Sequence, residues 1–354
     1  MSGFGPPPGP PSAPVRVRRA SYLAPTGPAI GAPGSAAASR GRYALTRSAK
    51  PGIVPLAPLR LGDLIEGSVK HVRRNPGPVL GAAAVVNSLA AIPVVVLIAL
   101  AFAGSWLRTT RVSTVLAGSA VPPLLGLAGT ALATFVLSGL LAYAVAEATL
   151  GRRHPLPAIW AVARPRIWTV LGTQALTCLS GLLPWAVVIG ALALVSDGPV
   201  PLVLLVGAGG GLAALAADVW LVPRLIYAAP AAVLERLTAG RALARAWALS
   251  RGRTWSIVGV LLIVLSLAVI VFWALELPQL GLYHLLIDVL EVPRGLRDPA
   301  GDVAFALANL GAAVVVTPFV ATSIVLHYLD ARMRREGLDL ALLRAAATDA
   351  GARP

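Results

Sequence analysis

The chain contains little charge and almost no cysteine. Only 13% of its 354 residues are Asp, Glu, Lys or Arg, whereas a soluble domain carries about 25%. This deficit argues against a water-soluble globule of this length. Its one cysteine, Cys178, excludes an intramolecular disulfide and a cysteine-cluster metal site. The four histidines are scattered along the chain, so we expect neither a metal site nor a cofactor.

Common enzyme motifs are missing as well. The sequence contains no HExxH pair, no GxSxG nucleophile elbow and no phosphate-binding P-loop. We therefore expect no catalytic residues and no cofactor-binding residues, and we interpret the chain as a protein that is not an enzyme.

The charge that is present is strongly basic, with 30 Lys and Arg against 15 Asp and Glu. Soluble nucleic-acid-binding proteins are basic and polar together, but this chain has a mean hydropathy of +0.78. The positive surplus therefore indicates contact with a membrane, and we expect membrane lipids rather than nucleic acid as partners.

Long apolar runs make up most of the chain. A helix needs about 20 apolar residues to cross the hydrocarbon core of a bilayer, and six charge-poor runs reach that length. The predicted spans are 79–103, 122–148, 168–195, 200–222, 255–277 and 303–328. The predicted fold class is all-α, a polytopic membrane protein with six transmembrane helices.

The distribution of basic residues predicts the orientation of these spans. Twenty-six of the 30 Lys and Arg lie in the N-terminal segment, the second and fourth loops and the C-terminal segment, and four lie in the other three loops. Basic residues stay on the cytoplasmic side during insertion. We expect a multi-pass plasma-membrane protein with both termini in the cytoplasm.

The two ends of the chain differ from the apolar middle. Residues 1–58 hold 12 prolines, 8 glycines and no acidic residue, so they cannot bury enough apolar surface to offset their chain entropy. We predict a disordered cytoplasmic tail over 1–58, a transmembrane domain over 59–345 and a flexible tail over 346–354.

An internal repeat precedes the odd-numbered spans. Trp160, Arg164, Arg166, Trp168 and Gly172 recur 87 residues later as Trp247, Arg251, Arg253, Trp255 and Gly259. A weaker copy lies over 69–81. The pattern predicts three units, each consisting of a short interfacial helix followed by a helical hairpin.

The predicted interfacial helices are amphipathic. In the run 61–72 one face carries Leu61, Leu64, Ile65, Ser68, Val69 and Val72, and the other carries Asp63, Glu66 and Lys70. A second such helix is predicted around 234–249, with Leu243 and Trp247 opposite Arg241 and Arg245.

Arginines at the ends of these helices are candidate contacts to anionic lipid headgroups. They are Arg73, Arg74, Arg164, Arg166, Arg251 and Arg253. Two interpretations remain open. The arginines and neighbouring tryptophans either anchor the spans at the bilayer surface or recognise phosphate-bearing headgroups.

Carboxylates within the spans are candidates for an intramembrane polar site. Glu147 and Asp218 both lie near the predicted cytoplasmic ends of their spans. They could meet each other or pair with nearby arginines, and the site would be a structural ion pair or a coupling-ion site. Glu276 lies near the outer end of the fifth span, where we expect it to be hydrated.

A glycine-rich run in the fourth predicted span has two interpretations. Gly207 and Gly211 stand at small-xxx-small spacing, which is typical of close packing between helices. Alternatively, the helix could break there and expose backbone groups to a substrate, as in transporters with discontinuous helices.

Three segments together resemble a known membrane-protein family. The stretch over 228–255 contains a Pro–Glu–Arg–Trp pattern, the stretch over 326–343 reads LHYLDARMRREGLDLALL, and the opening reads LRLGDLIEGSVKHVRRNPG. They are similar to the actinobacterial and archaeal integral membrane family named after the membrane domain of glycerophosphoryl diester phosphodiesterase. The resemblance implies a polytopic helical domain whose function is undetermined. The phosphodiesterase activity belongs to a separate soluble barrel, for which this chain has no room.

Three functions remain as hypotheses. The first is a non-catalytic membrane domain that organises lipid or unidentified protein partners. The second is a transporter or lipid-translocating protein with a polar site near Glu147 and Asp218. The third is an accessory membrane subunit for glycerophospholipid metabolism.

Overall fold

The described part of the chain is built from helices and contains no strand. A computed structural model describes residues 50–106, 121–290 and 294–351. The helices are α1 (Leu61–Arg74), α2 (Pro76–Trp106), α3 (Val121–Thr149), α4 (Leu156–Ala163), α5 (Ile167–Val195), α6 (Val200–Leu204), α7 (Gly210–Leu225), α8 (Ala228–Leu234), α9 (Ala239–Ser250), α10 (Thr254–Val289), α11 (Arg294–Glu336) and α12 (Leu338–Gly351).

Six helical segments are long and apolar enough to cross a membrane. They are α2, α3, α5, the joined pair α6–α7, α10 and α11, and they coincide with the six predicted spans. This confirms the predicted fold class. The last two helices are longer than predicted, because α10 continues to Val289 and α11 begins at Arg294.

Short helices precede each hairpin, as the repeat predicts. The short helices are α1, α4 and α9, and each leads into an odd-numbered span. The helix before the fifth span begins at Ala239 rather than near 234, since the chain first forms the separate buried helix α8. Arg236 separates the two helices in a left-handed conformation, with φ of 55°.

The core lies around α3 and α11. These two helices pack against each other and against α2. Helix α3 also packs against the short helix α8, and α11 also packs against the short helix α1. The hairpin α5–α7 contributes far less to this core, and side chains such as Leu183, Val187 and Ile189 remain exposed. Apolar side chains that are exposed on a membrane-length helix match a hydrocarbon surrounding.

The N-terminal boundary of the domain differs from the prediction. Ile53, Val54 and Leu56 are buried in the main apolar core, so residues 51–58 belong to the folded domain instead of the tail. Gly52 and Gly151 permit this packing between the segment before α1 and the end of α3. A Cβ on Gly52 would lie 2.0 Å from the carbonyl oxygen of Ala148, and a Cβ on Gly151 would lie 2.5 Å from that of Pro51. The tail prediction for residues 1–49 lies outside the described residues.

The C-terminal boundary also differs. Helix α12 runs from Leu338 to Gly351, so it crosses the predicted start of a flexible tail at 346. Leu338 and Leu342 are buried, and this apolar face docks the helix onto the domain.

The face that α1 buries overlaps the predicted apolar face in part. Leu64, Gly67, Ser68 and His71 are buried, whereas Val69 is exposed. Ser68 lies 2.9 Å from Ser323 of α11, Oγ to Oγ. The helix therefore docks through Leu64 and a strip of small and polar side chains and leaves Val69 outward, where a bilayer surface could cover it.

Candidate functional site

One end of the bundle collects most of the polar contacts. We call it the basic end and define it by the short helices and turns that carry Arg73, Arg152, Arg251 and Arg334. Because the six spanning segments alternate in direction, α1, α4, α8, α9 and α12 all lie at this end.

A buried charge network joins α8, α9 and α11 at the basic end. Glu235 accepts hydrogen bonds from Arg245 Nε, at 2.8 and 3.0 Å, and from the Tyr328 hydroxyl at 2.5 Å. Arg332 Nε lies 3.5 Å from Glu235 and donates to Glu336 at 2.9 Å. Arg245 also pairs with Glu336. Two guanidinium groups therefore balance two carboxylates.

The balance explains how such charges tolerate burial. The Arg332 side chain is 0% exposed and that of Glu235 is 1% exposed, and an uncompensated charge in this place would be very costly. Burial lowers the pKa of Arg245, but the carboxylates of Glu235 and Glu336 outweigh that effect and the pKa is raised. The four side chains therefore form one connected, charge-balanced network.

A second cluster fixes the segment that enters α1. Asp330 accepts hydrogen bonds from the backbone N–H of Leu59 at 2.8 Å and from Arg334 Nε at 2.8 Å. Arg334 in turn donates to the Leu59 carbonyl at 2.7 Å. The last turns of α11 therefore bind both the backbone N–H and the carbonyl of Leu59, and so fix the segment that leads into α1.

The neighbouring pair Tyr227 and His327 extends the polar core toward the bilayer. The Tyr227 hydroxyl lies 2.7 Å from His327 Nδ1, and both side chains are buried. The Nε2 atom of His327 has no hydrogen-bond partner, and the residue lines a small, mostly apolar cavity together with side chains such as Ile257, Val264 and Ile324.

These clusters unite two of the segments on which the family resemblance depends. Glu235 and Arg245 belong to the stretch 228–255, and Tyr328, Asp330 and Arg332 belong to the stretch 326–343. From the sequence, Arg245 and Arg332 contribute to the predicted topology, and the network was not predicted. A usable signal was present, because Asp330 with Arg334 and Arg332 with Glu336 stand at the i,i+4 spacing of helical ion pairs.

The six predicted headgroup arginines fall into two groups. Arg253 donates to Asp330 at 3.2 Å, so part of its charge is used internally. In the part of the chain that the structure describes, no carboxylate partner is recorded for the other five, which are Arg73, Arg74, Arg164, Arg166 and Arg251. All five lie at the basic end, and all except Arg166 are exposed.

Two tryptophans related by the repeat project outward beside these arginines. Trp168 and Trp255 are the second residues of α5 and α10, and they are 82% and 79% exposed. Indole rings favour the boundary between headgroups and hydrocarbon. Their matched positions place the entrance of the third and fifth spans at the same level. Trp247 differs, because it packs edge-on against Trp220 near the guanidinium of Arg224.

Glu147 is bound at the end of α3. Its carboxylate accepts a hydrogen bond from Arg152 at 2.8 Å and lies 3.4 Å from His154 Nε2. The predicted pairing with a nearby arginine therefore occurs for this residue. His154 in turn packs against the Tyr143 ring, at 5.3 Å between centroids, and accepts at its carbonyl a hydrogen bond from Asn75.

Asp218 has a different environment on α7. Its Oδ2 accepts a hydrogen bond from the indole N–H of Trp185 at 2.7 Å, and its buried Oδ1 has no hydrogen-bond partner. No arginine pairs with it among the described residues, so the two predicted intramembrane carboxylates are held by separate partners. Gly181 lies against Oδ1 and leaves room for it.

The glycine-rich run of the fourth span continues as a helix. Residues Leu205–Gly209 form one π-helical turn between α6 and α7. A Cβ on Gly210 would contact Val188 at 3.2 Å, and one on Gly207 would contact Leu192 at 3.6 Å. Gly210 therefore lies close against α5, whereas a Cβ on Gly211 would meet nothing within 4 Å, so the predicted Gly207–Gly211 pair does not form a close contact. The turn does not break the helix.

Glu276 contradicts the expectation of a hydrated side chain. It is 2% exposed, and its carboxylate accepts a hydrogen bond from Asn309 of α11. The prediction was wrong because α10 continues beyond it to Val289, which places the carboxylate within the helix pair rather than at its end.

In the interior of the basic end, arginines are paired with carboxylates. On its surface, exposed arginines such as Arg164 and Arg251 have no recorded acidic partner among the described residues, an arrangement that suits binding of anionic groups. The described residues contain no group of three or more His, Cys, Asp or Glu placed to hold a metal ion. Comparison with protein-family models, with curated proteins and with solved structures found no match for this chain.

Proposed function

We propose that the chain is a non-catalytic plasma-membrane protein whose basic end lies in the cytoplasmic leaflet and organises anionic lipid. Six apolar helices support the membrane setting, and the positive-inside rule supports the orientation. The basic end would hold anionic headgroups beside the entrances of its spans and so gather a lipid patch around the domain.

The proposal depends on a difference between two groups of arginines, those paired with carboxylates inside the fold and those exposed at the span entrances. Arg245 and Arg332 are neutralised by Glu235 and Glu336 inside the fold. Exposed arginines at the span entrances, such as Arg164 and Arg251, have no recorded acidic partner in the described ranges. Cationic side chains near an anionic leaflet each contribute about 1 kcal/mol of attraction.

Lipid retention tests the proposal. Arg164 and Arg251 are equivalent in the repeat and both exposed, so the double variant Arg164→Gln/Arg251→Gln removes one charge from two span entrances. The anionic lipid that co-purifies with this variant should fall at least about threefold relative to the unmodified protein, because two attractions of about 1 kcal/mol each are lost.

A matched control keeps the charge at the same two positions. The variant Arg164→Lys/Arg251→Lys retains both positive charges at the span entrances and should retain its lipid. Equal lipid content in all three proteins would reject the lipid-organising function and leave the arginines as anchors.

A transporter or lipid-translocating protein is the second candidate. Its support is Asp218, whose buried Oδ1 lacks a hydrogen-bond partner inside an apolar hairpin. Such intramembrane carboxylates commonly belong to ion pathways. In reconstituted vesicles, Asp218→Asn should abolish pyranine-detected proton flux or movement of a fluorescent phosphatidylglycerol, while Asp197→Asn in the exposed turn before α6 should not. Absence of both fluxes in the unmodified protein rejects this candidate.

A third hypothesis is an accessory subunit for glycerophospholipid metabolism. It depends on the resemblance of the segments 228–255 and 326–343 to the family described above, and that family assignment remains a prediction. Co-purification of a soluble phosphodiesterase with the full chain would support it.

A further inference from the structure

A recess opens at the basic end between α1, α3 and the turn after α3. Its enclosed part has a volume of about 20 Å³, and the space reaches about 330 Å³ when the open mouth is included. The buried side chains of Ile53 and Ala144 line it together with polar and basic groups. Those groups belong to His71, Arg74, Asn75, Arg152, Arg153 and His154.

One buried side chain in this recess offers an unused hydrogen-bonding group. His71 is 2% exposed, and its Nε2 atom has no hydrogen-bond partner. Burial lowers the pKa of His71 to about 4, so its ring is neutral at pH 7 and can present an N–H donor. A buried donor without a partner is costly, and a ligand oxygen in the recess would satisfy it.

The fixed charge of the recess is positive. Arg152 is paired with Glu147 at 2.8 Å, so that pair contributes no net charge. Arg74 and Arg153 are exposed at the rim, and no acidic partner is recorded for either among the described residues. Two guanidinium charges therefore remain beside one buried neutral donor.

The geometry points to a binding site for a phosphate monoester, with Arg74, Arg153 and His71 as its donors. Guanidinium groups bind phosphate oxygens through paired hydrogen bonds. A phosphate monoester carries a charge of about −1.5 to −2 at pH 7, which matches the two unbalanced guanidinium groups. A phosphodiester headgroup carries a single negative charge and would leave one of them uncompensated.

This inference rests on the proposed lipid-binding function, which it narrows from anionic headgroups in general to terminal phosphates. The same chemistry exists in phosphatidate and in soluble phosphomonoesters such as glycerol 3-phosphate. Because Arg73 and Arg74 end α1 at the bilayer surface, a lipid source and a soluble source could both reach the rim.

Calorimetric titration of the full chain in neutral detergent tests the site. The probes are dioctanoyl phosphatidate, dioctanoyl phosphatidylglycerol, glycerol 3-phosphate and inorganic phosphate. We expect phosphatidate to bind at least about tenfold more tightly than phosphatidylglycerol, which is the effect of one charge-assisted hydrogen bond. Equally tight binding of glycerol 3-phosphate would indicate a soluble ligand, and weak binding of both soluble probes would indicate the lipid.

Variants connect this preference to the recess. Arg153→Gln changes an exposed side chain and should fold normally, and it should reduce phosphatidate affinity about tenfold. His71→Asn should weaken binding in the same direction, while Arg241→Gln on α9 should leave it unchanged. Equal affinity for the two lipids, or unchanged phosphatidate binding in both recess variants, would overturn the inference.

The outcomes separate this site from the broader proposal. If phosphatidate preference is absent while Arg164→Gln/Arg251→Gln still loses co-purifying lipid, the terminal-phosphate site is rejected and the lipid-organising function stands. If that variant keeps its lipid, the broader function is rejected, whatever the recess binds.

Discussion

Arg332 Nε lies 3.5 Å from a carboxylate oxygen of Glu235, although 97 residues separate them in the chain, and the arginine side chain is completely buried. The contact joins the end of α11 to the end of α8. Both segments follow a membrane span, so the pair brings two spans to a common level. The buried interior of the basic end is therefore set by charge balance as well as by apolar packing.

The first prediction concerns the removal of one partner from this network. Arg332→Gln leaves the buried Glu235 and the partly buried Glu336 with only one cation, Arg245, to balance them. Such a change costs about 3–5 kcal/mol. Thermal unfolding in detergent, followed by tryptophan fluorescence, should therefore show a large fall in the transition temperature.

Arg241→Gln serves as the control for this experiment. Arg241 is exposed on the neighbouring helix α9, and exposed substitutions usually change stability by less than about 0.5 kcal/mol. If Arg332→Gln and Arg241→Gln unfold at the same temperature, the network does not stabilise the fold.

The second prediction concerns pH. His71 is neutral in the fold because burial lowers its pKa from 6.5 to about 4. Between these two values the unfolded chain binds a proton that the folded chain does not, so stability is complete above about pH 6.5 and declines as the pH falls toward 4. Between pH 7 and pH 5 the loss should be about 2 kcal/mol.

His71→Asn provides the comparison. The variant lacks the titrating ring, so its unfolding temperature should fall less between pH 7 and pH 5 than that of the unmodified protein. Parallel pH profiles for the two proteins would show that His71 is already charged, or not buried, in the folded state.

The third prediction concerns a hydrogen bond between α2 and α11. Asn87 Nδ2 donates to Thr317 Oγ1 at 2.8 Å, and both residues are buried. A double-mutant cycle with Asn87→Leu and Thr317→Val should give a coupling energy of about 0.6 kcal/mol, with about 1.7 kcal/mol as the upper bound for such bonds.

A control cycle combines Asn87→Leu with a substitution at Thr130 instead of Thr317. The Thr130 hydroxyl donates to Gly126 within its own helix, so Asn87→Leu and Thr130→Val should show no coupling. Equal coupling in the two cycles would mean that the measured value reflects general loosening of the bundle instead of the Asn87–Thr317 contact.

The number and place of the spans could be predicted from the sequence because charge is so sparse that its gaps mark the helices. The ends of α10 and α11 could not, since a helix can continue past Asp288 or begin before Asp302 where hydropathy no longer favours a span. The folding of residues 51–58 was also missed, because proline and glycine content hides the few side chains, such as Leu56, that enter the core.

The site was harder to predict than the fold. Hydrophobic periodicity placed Ser68 and Val69 on one apolar face of α1, but the helix docks through Ser68 and His71 and leaves Val69 exposed. Periodicity identifies an apolar face without telling whether protein or lipid covers it. The partner of Glu235 was likewise out of reach, since Tyr328 and Arg332 lie about 95 residues away and no local pattern joins them.

The side of the membrane that the basic end faces is the most direct test of this account. With Cys178→Ala as background, single cysteines would replace Asp197, in the exposed turn between α5 and α6, and Thr238, exposed between α8 and α9. In intact cells an impermeant maleimide should label Asp197→Cys and should label Thr238→Cys only after the membrane is opened. The reverse pattern, or labelling of both positions in intact cells, would contradict a basic end in the cytoplasmic leaflet.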